Sequence, residues 1–153
     1  MANTYHQIYI HVVFAVKSRD GLLSQEWQSK IFGVIGTLIN ETGCKTMIVN
    51  GIEDHVHCLI GLKPDVSISE LMKIIKAKSS KFINDNQLTK GRFEWQEGYG
   101  AFSYSQSHVD AVYKYIDNQE HHHKKQSFRE EYLDFLSKFK IPFDERYLFK
   151  DVT

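Results

Sequence analysis

Apolar residues follow two rhythms along this chain, one of period two and one of period 3.6, and their succession lays out the elements. From Ile8 to Val16, Ile8, Ile10, Val12, Phe14 and Val16 share one face of an extended segment while Tyr9, His11, Val13 and Ala15 share the other. A strand apolar on both faces belongs in the middle of a sheet. Ser24 to Asn40 then places Trp27, Ile31, Val34, Ile35 and Leu38 at helical spacing, with Ser24 as N-cap and Gly43 as the stop. Cys44 to Asn50 and Val56 to Leu62 are short apolar runs separated by Gly51-Ile52-Glu53-Asp54-His55, the pattern of an antiparallel hairpin. In the second run Val56, Cys58, Ile60 and Leu62 suit a helix-covered core, so His55, His57 and Leu59 face the opposite way.

Ser67-Ile68-Ser69-Glu70 has capping-box spacing and opens a helix whose buried stripe is Ile68, Leu71, Met72, Ile75, Ser79 and Phe82, leaving Lys73, Lys76 and Lys81 for solvent. An aromatic-rich loop around Trp95 leads to a short edge or final strand, Ala101 to Tyr104. Two helices follow, Ser107 to His122, with Ser107-His108-Val109-Asp110 as its cap, and Ser127 to Phe139. The order strand, helix, strand, strand, helix, strand predicts an α+β fold: a ferredoxin-like (RRM-like) antiparallel sheet with two helices on one face, plus C-terminal helices. Pro64 and Pro142 fall at element boundaries, and nothing reads as a linker or repeat. A single domain is expected over 1–153, with its core at about 5–105, a tyrosine-bearing helix at about 107–122 and a C-terminal helix and tail at about 127–153. The tail from Pro142 is expected to be an arm that packs on a neighbour.

With 153 residues and 42% hydrophobic content, one proper core fits. Cys44 and Cys58 form neither a CxxC pair nor a disulfide framework, and no apolar run reads as a signal peptide or membrane span, so a cytoplasmic protein with reduced thiols and no membrane partner is expected. Net charge is zero, which by itself argues against nucleic acid. The average hides an asymmetry: Lys63 to Arg92 carries six lysines and one arginine against Asp65, Glu70 and Asp85, a net of +4, while acids gather from Glu130 onward. That permits a local phosphate-binding surface, although a solvated lysine-rich helix face is the commoner origin of such a run.

The candidate chemistry lies in His55-Val56-His57 and Tyr115-Ile116-Asp117-Asn118-Gln119. Residues two apart on a strand project together, so the imidazoles form a two-pronged metal clamp; residues four apart on a helix share a strip, so Tyr115 and Gln119 lie near each other. With Glu53-Asp54-His55-Val56-His57, Trp95-Gln96-Glu97-Gly98-Tyr99-Gly100-Ala101-Phe102-Ser103, Tyr115 with Gln119, and Tyr5-His6-Gln7-Ile8-Tyr9-Ile10-His11-Val12-Val13-Phe14, the chain resembles the HUH endonucleases, specifically the single-tyrosine transposases of the smallest bacterial insertion sequences. The resemblance spans most of the chain. It implies that His55, His57 and Gln119 are ligands of a divalent metal, Mg2+ or Mn2+, and that Tyr115 is the nucleophile on single-stranded DNA. It further implies a homodimer whose tyrosine helices serve each other's clamps, acting on hairpins at element ends in a bacterial or archaeal nucleoid.

Two imidazoles and a carboxamide hold a dication without cancelling its charge, which suits in-line attack on a phosphodiester. Attack by tyrosine conserves the bond energy in a 5′-phosphotyrosine and leaves a 3′-hydroxyl for rejoining, so no nucleotide triphosphate is needed; the sequence has no GxxxxGK[ST] loop. Candidate DNA contacts are His11, Lys73, Lys76, Lys81, Arg92 and Trp95, with Phe93, Tyr99 and Phe102 beside Trp95 either stacking on bases or closing a small core. Tyr113, the competing tyrosine, aligns with Val109, Val112 and Ile116 as core, and His121-His122-His123 reads as a helix end rather than a metal site. Three other functions compete. A domesticated relative processing chromosomal palindromes uses the same chemistry, an RRM-like module binds single-stranded DNA or RNA without catalysis, and a metal hydrolase uses water and dispenses with Tyr115.

Overall fold

The computed structural model describes residues 4–18, 21–122, 126–144, 146 and 148–149. Four strands, β1 (Tyr9–Ala15), β2 (Lys45–Gly51), β3 (His55–Gly61) and β4 (Gly100–Tyr104), form one antiparallel sheet in the order β2-β3-β1-β4. α1 (Gln28–Glu41) and α2 (Ile68–Asp85) complete the ferredoxin-like unit, and α3 (Val109–Asp117), α4 (Gln119–His122) and α5 (Phe128–Lys138) follow it. β1 is central, as its two apolar faces require, and β4 is an edge.

Strand alternation sorts the side chains into two cores. Ile10, Val12, Phe14 and Val16 with Val56, Cys58 and Ile60 pack against Ile31, Ile35 and Ile39 of α1 and Leu71, Met72, Ile75 and Ile83 of α2. On the opposite face Val13, Ala15 and Phe102 meet Phe128 and Leu136 of α5, while Leu59 meets Val109, Val112 and Ile116 of α3. Full burial of each large aliphatic or aromatic side chain contributes about 1.5–3 kcal/mol. Both sheet faces are therefore covered, and the histidine face lies beneath α3 and α5.

Local signals place most element ends. Ser67 Oγ accepts the Glu70 N–H at 3.1 Å and Ser127 Oγ accepts the Glu130 N–H at 3.2 Å, fixing the starts of α2 and α5. Gly43 ends α1 with φ +92°. Ser24 instead begins a turn whose carbonyl accepts the Trp27 and Gln28 N–H groups at 3.1 and 2.8 Å, so the N-cap of α1 is Trp27, three residues later than the sequence predicts. Gly51 is required by close approach: a Cβ there would lie 2.2 Å from the His55 carbonyl oxygen across the hairpin.

Two expectations are corrected here. The tyrosine helix is not continuous to His122: it opens with a 3-10 turn, Gln106–His108, has His108 as N-cap without a side-chain cap bond, and breaks at Asn118 (φ −101°, ψ 23°). The cause is Asn50 of β2, whose Nδ2 donates to the carbonyls of Ile116 and Asp117 at 2.9 and 3.2 Å, groups a continuing helix would bond internally. The tail does not reach away as an arm, since Leu148 and Phe149 are buried against the α5 core and Arg129 Nη1 donates to the Phe149 carbonyl at 3.1 Å. Among the described residues, no helix is long and apolar enough to cross a membrane. Cys44 and Cys58 are buried free thiols, and burial pushes the Cys58 thiol pKa up.

Candidate active site

β3 delivers His55 and His57 to the sheet face beneath α3 and α5, both fully buried with ring centroids 4.9 Å apart. His55 is held from two sides: its Nδ1 lies 2.7 Å from Asp54 Oδ1, and Phe128 of α5 stacks on its ring at 3.9 Å. Its Nε2 lies 3.1 Å from Gln119 Oε1. Burial alone would lower the His55 pKa, but hydrogen bonds to Asp54 and Glu131 outweigh it and the pKa is raised.

His57 sits between two partners. Its Nδ1 is 2.7 Å from His11 Nε2, the two rings stacking at 4.9 Å, and its Nε2 is 3.0 Å from Glu131 Oε1. His11 pairs with Leu59 across the β1–β3 ladder while Val13 pairs with His57, so His11 is the diagonal neighbour of the clamp. Its pKa is lowered well below the usual value by burial and by His57. His11 is thus a support beneath the clamp, fully buried, and its surface for a DNA contact is closed.

Tyr115 comes from the last turn of α3 and Gln119 from the start of α4, and the break at Asn118 still leaves both over the clamp. The Tyr115 ring lies 6.2 Å from that of His57, and its hydroxyl donates a short hydrogen bond to Glu131 Oε2. Gln119 is fully buried, its Nε2 3.3 Å from the same carboxylate oxygen. Burial and Glu131 push the Tyr115 pKa well above the ordinary phenol value, so the neutral hydroxyl is the resting form. A cleft of about 360 Å³ lined by Tyr104, Tyr115, Glu131, Asp134 and Phe135 opens beside the tyrosine. All of this closes within one chain.

The other expected residues are not gathered there. Trp95 is buried between Phe14 and Phe93, and its Nε1–H donates to Ser79 Oγ at 2.9 Å, so it is core and its face is closed to bases. Lys76 Nζ donates to the Gln96 carbonyl at 2.9 Å and to that of Gly98, tying the Trp95 loop to α2; burial lowers its pKa. Lys73 is exposed, Lys81 pairs with Asp85 at 2.5 Å and Arg92 Nε lies 3.9 Å from Glu94. Phe93 and Phe102 are core, whereas Tyr99 is exposed. Tyr113 is 41% exposed and so is not core either. His121 is exposed at the end of α4, while His123 lies outside the described residues.

Three residues escaped the sequence reading. Asp54 was legible as the carboxylate next to His55; Asn50 and Glu131 carried no signal, Glu131 looking like an ordinary first-turn acid of α5. A family described as Transposase IS200 like matches residues 4–119. The chain belongs to this transposase family. The ISDra2 transposase TnpA of Deinococcus radiodurans is 24% identical over 119 residues, covering 74% of this chain and 85% of that protein. A crystal structure assigned to a transposase of Deinococcus radiodurans R1 shares the fold at TM-score 0.60, with 22% identity over 78% of this chain and 95% of that one. A REP-associated tyrosine transposase bound to a REP hairpin aligns at TM-score 0.57 and 13% identity, over 79% of this chain and 73% of that one. These neighbours share the α+β fold, and membership in the transposase family makes the chain a DNA-processing enzyme.

Proposed function

We propose that this IS200-like transposase cleaves and rejoins single-stranded DNA at hairpin-bearing ends through a covalent 5′-phosphotyrosine at Tyr115. One observation carries the reading: both histidines, the Gln119 carboxamide and the Tyr115 hydroxyl, drawn from segments sixty residues apart, meet in one buried cluster. The donor set fits a cation. With Nδ1–H given to Asp54, a neutral His55 turns its Nε2 lone pair toward the Gln119 carbonyl oxygen, two acceptors 3.1 Å apart that a proton or a metal ion would reconcile.

A Mg2+ or Mn2+ ion held by His55, His57 and Gln119 would supply Lewis-acid polarisation of the phosphodiester. Tyr115 Oη forms the new bond to phosphorus as the bond to the 3′ oxygen breaks, its proton leaving toward the acceptor it already contacts. The released 3′ oxygen takes up a proton, and the resulting hydroxyl later attacks a phosphotyrosine to rejoin strands. α3 and α5 cover the sheet and exclude water from the buried histidines, which favours ligation over hydrolysis.

The same covering leaves no sheet platform for stacked bases, which weighs against an RRM-like binding module. In the homodimer that family resemblance implies, the tyrosine segment serves either its own chain, as the geometry here supports, or its partner's. Mixing Tyr115→Phe with His57→Ala subunits tests this: activity in the heterodimer requires exchange, whereas an inactive heterodimer means either that each segment serves its own chain or that both sites must work together. Processing of chromosomal palindromes uses identical chemistry, and short hairpins bounding the gene would mark a mobile element instead.

The test of the whole reading is incubation with labelled hairpin single-stranded DNA and Mg2+ or Mn2+, followed by denaturing electrophoresis. A protein–DNA band is expected from the wild type and none from Tyr115→Phe, which still binds the DNA. An adduct of normal yield in Tyr115→Phe refutes the nucleophile.

A further inference from the structure

Glu131 is nearly as buried as the clamp it faces, although it comes from α5, beyond the segment that the transposase family matches. Its position follows from a helical stripe. Phe128, Glu131 and Phe135 lie at i, i+3 and i+7 on one face of α5; Phe128 stacks on His55, and Phe135 lies edge-on to His11 and Tyr115 at 5.3 and 5.6 Å. Ser127 caps the helix one turn earlier, so the carboxylate is delivered by a fixed backbone. Its Oε1 lies 3.0 Å from His57 Nε2 and 3.5 Å from His55 Nε2, and one ligand atom from each of the three residues falls within 4.8 Å of the others. Its Oε2 accepts from the Tyr115 hydroxyl and from Gln119 Nε2.

We infer that Glu131 is itself a ligand of the catalytic cation, its Oε1 joining His55 and His57 while its Oε2 holds the Tyr115 hydroxyl beside the ion. The inference rests on the metal-clamp reading above and deepens it. Magnesium and manganese favour oxygen over nitrogen, and two imidazoles with one neutral carboxamide are a weak set for either. A buried carboxylate supplies the hard anionic donor those ions select, and the ion in turn compensates a charge that burial would otherwise make costly. Using both oxygens differently also explains how a nucleophile on one helix is registered to a metal on a strand: the carboxylate links the two directly. Gln119, which points one amide atom at His55 and the other at Glu131, then orients the carboxylate as well as the histidine.

The experiment is calorimetric titration of the full chain with Mn2+, with the electron paramagnetic resonance spectrum of bound Mn2+ as a second readout. Wild type is compared with Glu131→Gln, Glu131→Asp, Glu131→Ala, His57→Ala and the neighbouring control Glu130→Gln. Glu131→Ala and Glu131→Gln should each lower Mn2+ affinity by at least about tenfold. Glu131→Asp should fall between them and wild type, the bound-Mn2+ spectrum should change in Glu131→Gln, and Glu130→Gln should match wild type. Should Glu131→Ala fail to fold, Glu131→Gln, nearly identical in shape, carries the test. Affinity within twofold of wild type in Glu131→Gln, or a gain in affinity on removing the carboxylate, overturns the assignment. If His57→Ala loses Mn2+ while the Glu131 variants keep it, only the Glu131 inference fails; if the wild type itself binds no Mn2+, the clamp reading falls with it.

Discussion

Asp54 Oδ1 lies 2.7 Å from His55 Nδ1, which makes this carboxylate the group that orients the imidazole. With Nδ1 held by Asp54, Nε2 is directed at Gln119 and Glu131. Asp54→Ala should therefore lower divalent-metal affinity by about 10–100-fold while leaving the fold intact. Titration calorimetry with Mn2+ beside a circular-dichroism melt measures both. Unchanged affinity would mean that the strand alone orients the ring.

Asn50 fixes the tyrosine segment from the sheet side. Its amide donates to the carbonyls of Ile116 and Asp117, ending α3 two residues before Gln119. Asn50→Ala should cost about 1 kcal/mol of stability for the lost hydrogen bonds. Adduct formation should fall by more than that loss accounts for, because Tyr115 and Gln119 lose their common anchor. The comparison is adduct rate per folded molecule, with Asn50→Asp as a control that keeps the shape but removes the donors. Equal rates in all three proteins would show that α3 needs no such tether.

Trp95 and Lys76 stabilise the domain rather than grip DNA. Trp95→Ala should cost about 3–5 kcal/mol, as for other buried aromatic deletions. Trp95→Phe should recover part of that. Lys76→Met should cost about 1 kcal/mol, since its ammonium links two loop carbonyls to α2. Denaturant unfolding gives the stabilities. Affinity for single-stranded hairpin DNA per folded molecule should stay within about twofold, less than the 1–3 kcal/mol that removing a base-stacking ring costs. A large loss of affinity in a folded Trp95→Phe protein would restore the stacking role.

These residues show how far the sequence could be read. Period-two alternation placed His55 and His57 on the face away from the α1–α2 core because each strand residue has a fixed side, and β1 announced its central position by being apolar on both. Ser67 and Gly43 worked as local signals because capping is decided within one turn. Trp95 misled because an aromatic in a loop has the same composition whether it meets bases or Phe14, and only tertiary packing decides. The break at Asn118 and the placement of Glu131 were hidden for a related reason: one depends on Asn50, 66 residues from its partner Ile116, and the other on how a separate helix docks. Pairwise spacing within an element is legible, whereas a contact between distant elements is not.

His11 and His55 set opposite pH dependences in the metal-free protein. His11 is buried against His57 and His55 of β3 and Glu131 of α5, and its pKa is lowered below 6.5, so the unfolded chain binds more protons; its contribution is present above 6.5 and is lost as pH falls toward the native value. His55 is raised, so its contribution is fully present below 6.5 and is lost as pH rises through its native value. In EDTA, His11→Phe should retain more of its pH 8 stability at pH 5 than wild type does, read as the ratio of unfolding free energies. Identical ratios would mean that His11 does not control the acid limb.

The docked tail gives a last expectation, one that separates packing within the chain from packing on a neighbour. Leu148 and Phe149 bury against Phe128, Tyr132 and Leu136, and Phe149 lies 4.8 Å from the Tyr132 ring. Because α5 also carries Glu131 and the ring that stacks on His55, loosening the tail should be felt at the clamp. Leu148→Ala with Phe149→Ala should cost about 2–5 kcal/mol and weaken Mn2+ binding. An intrachain tail makes that loss independent of protein concentration, whereas a tail exchanged between copies makes the wild-type Tm rise with concentration and the variant's respond less. Melting both proteins over a hundredfold range of concentration decides between them: the two Tm values are expected to run parallel, and a wild-type Tm that climbs more steeply than the variant's would assign the tail to a partner.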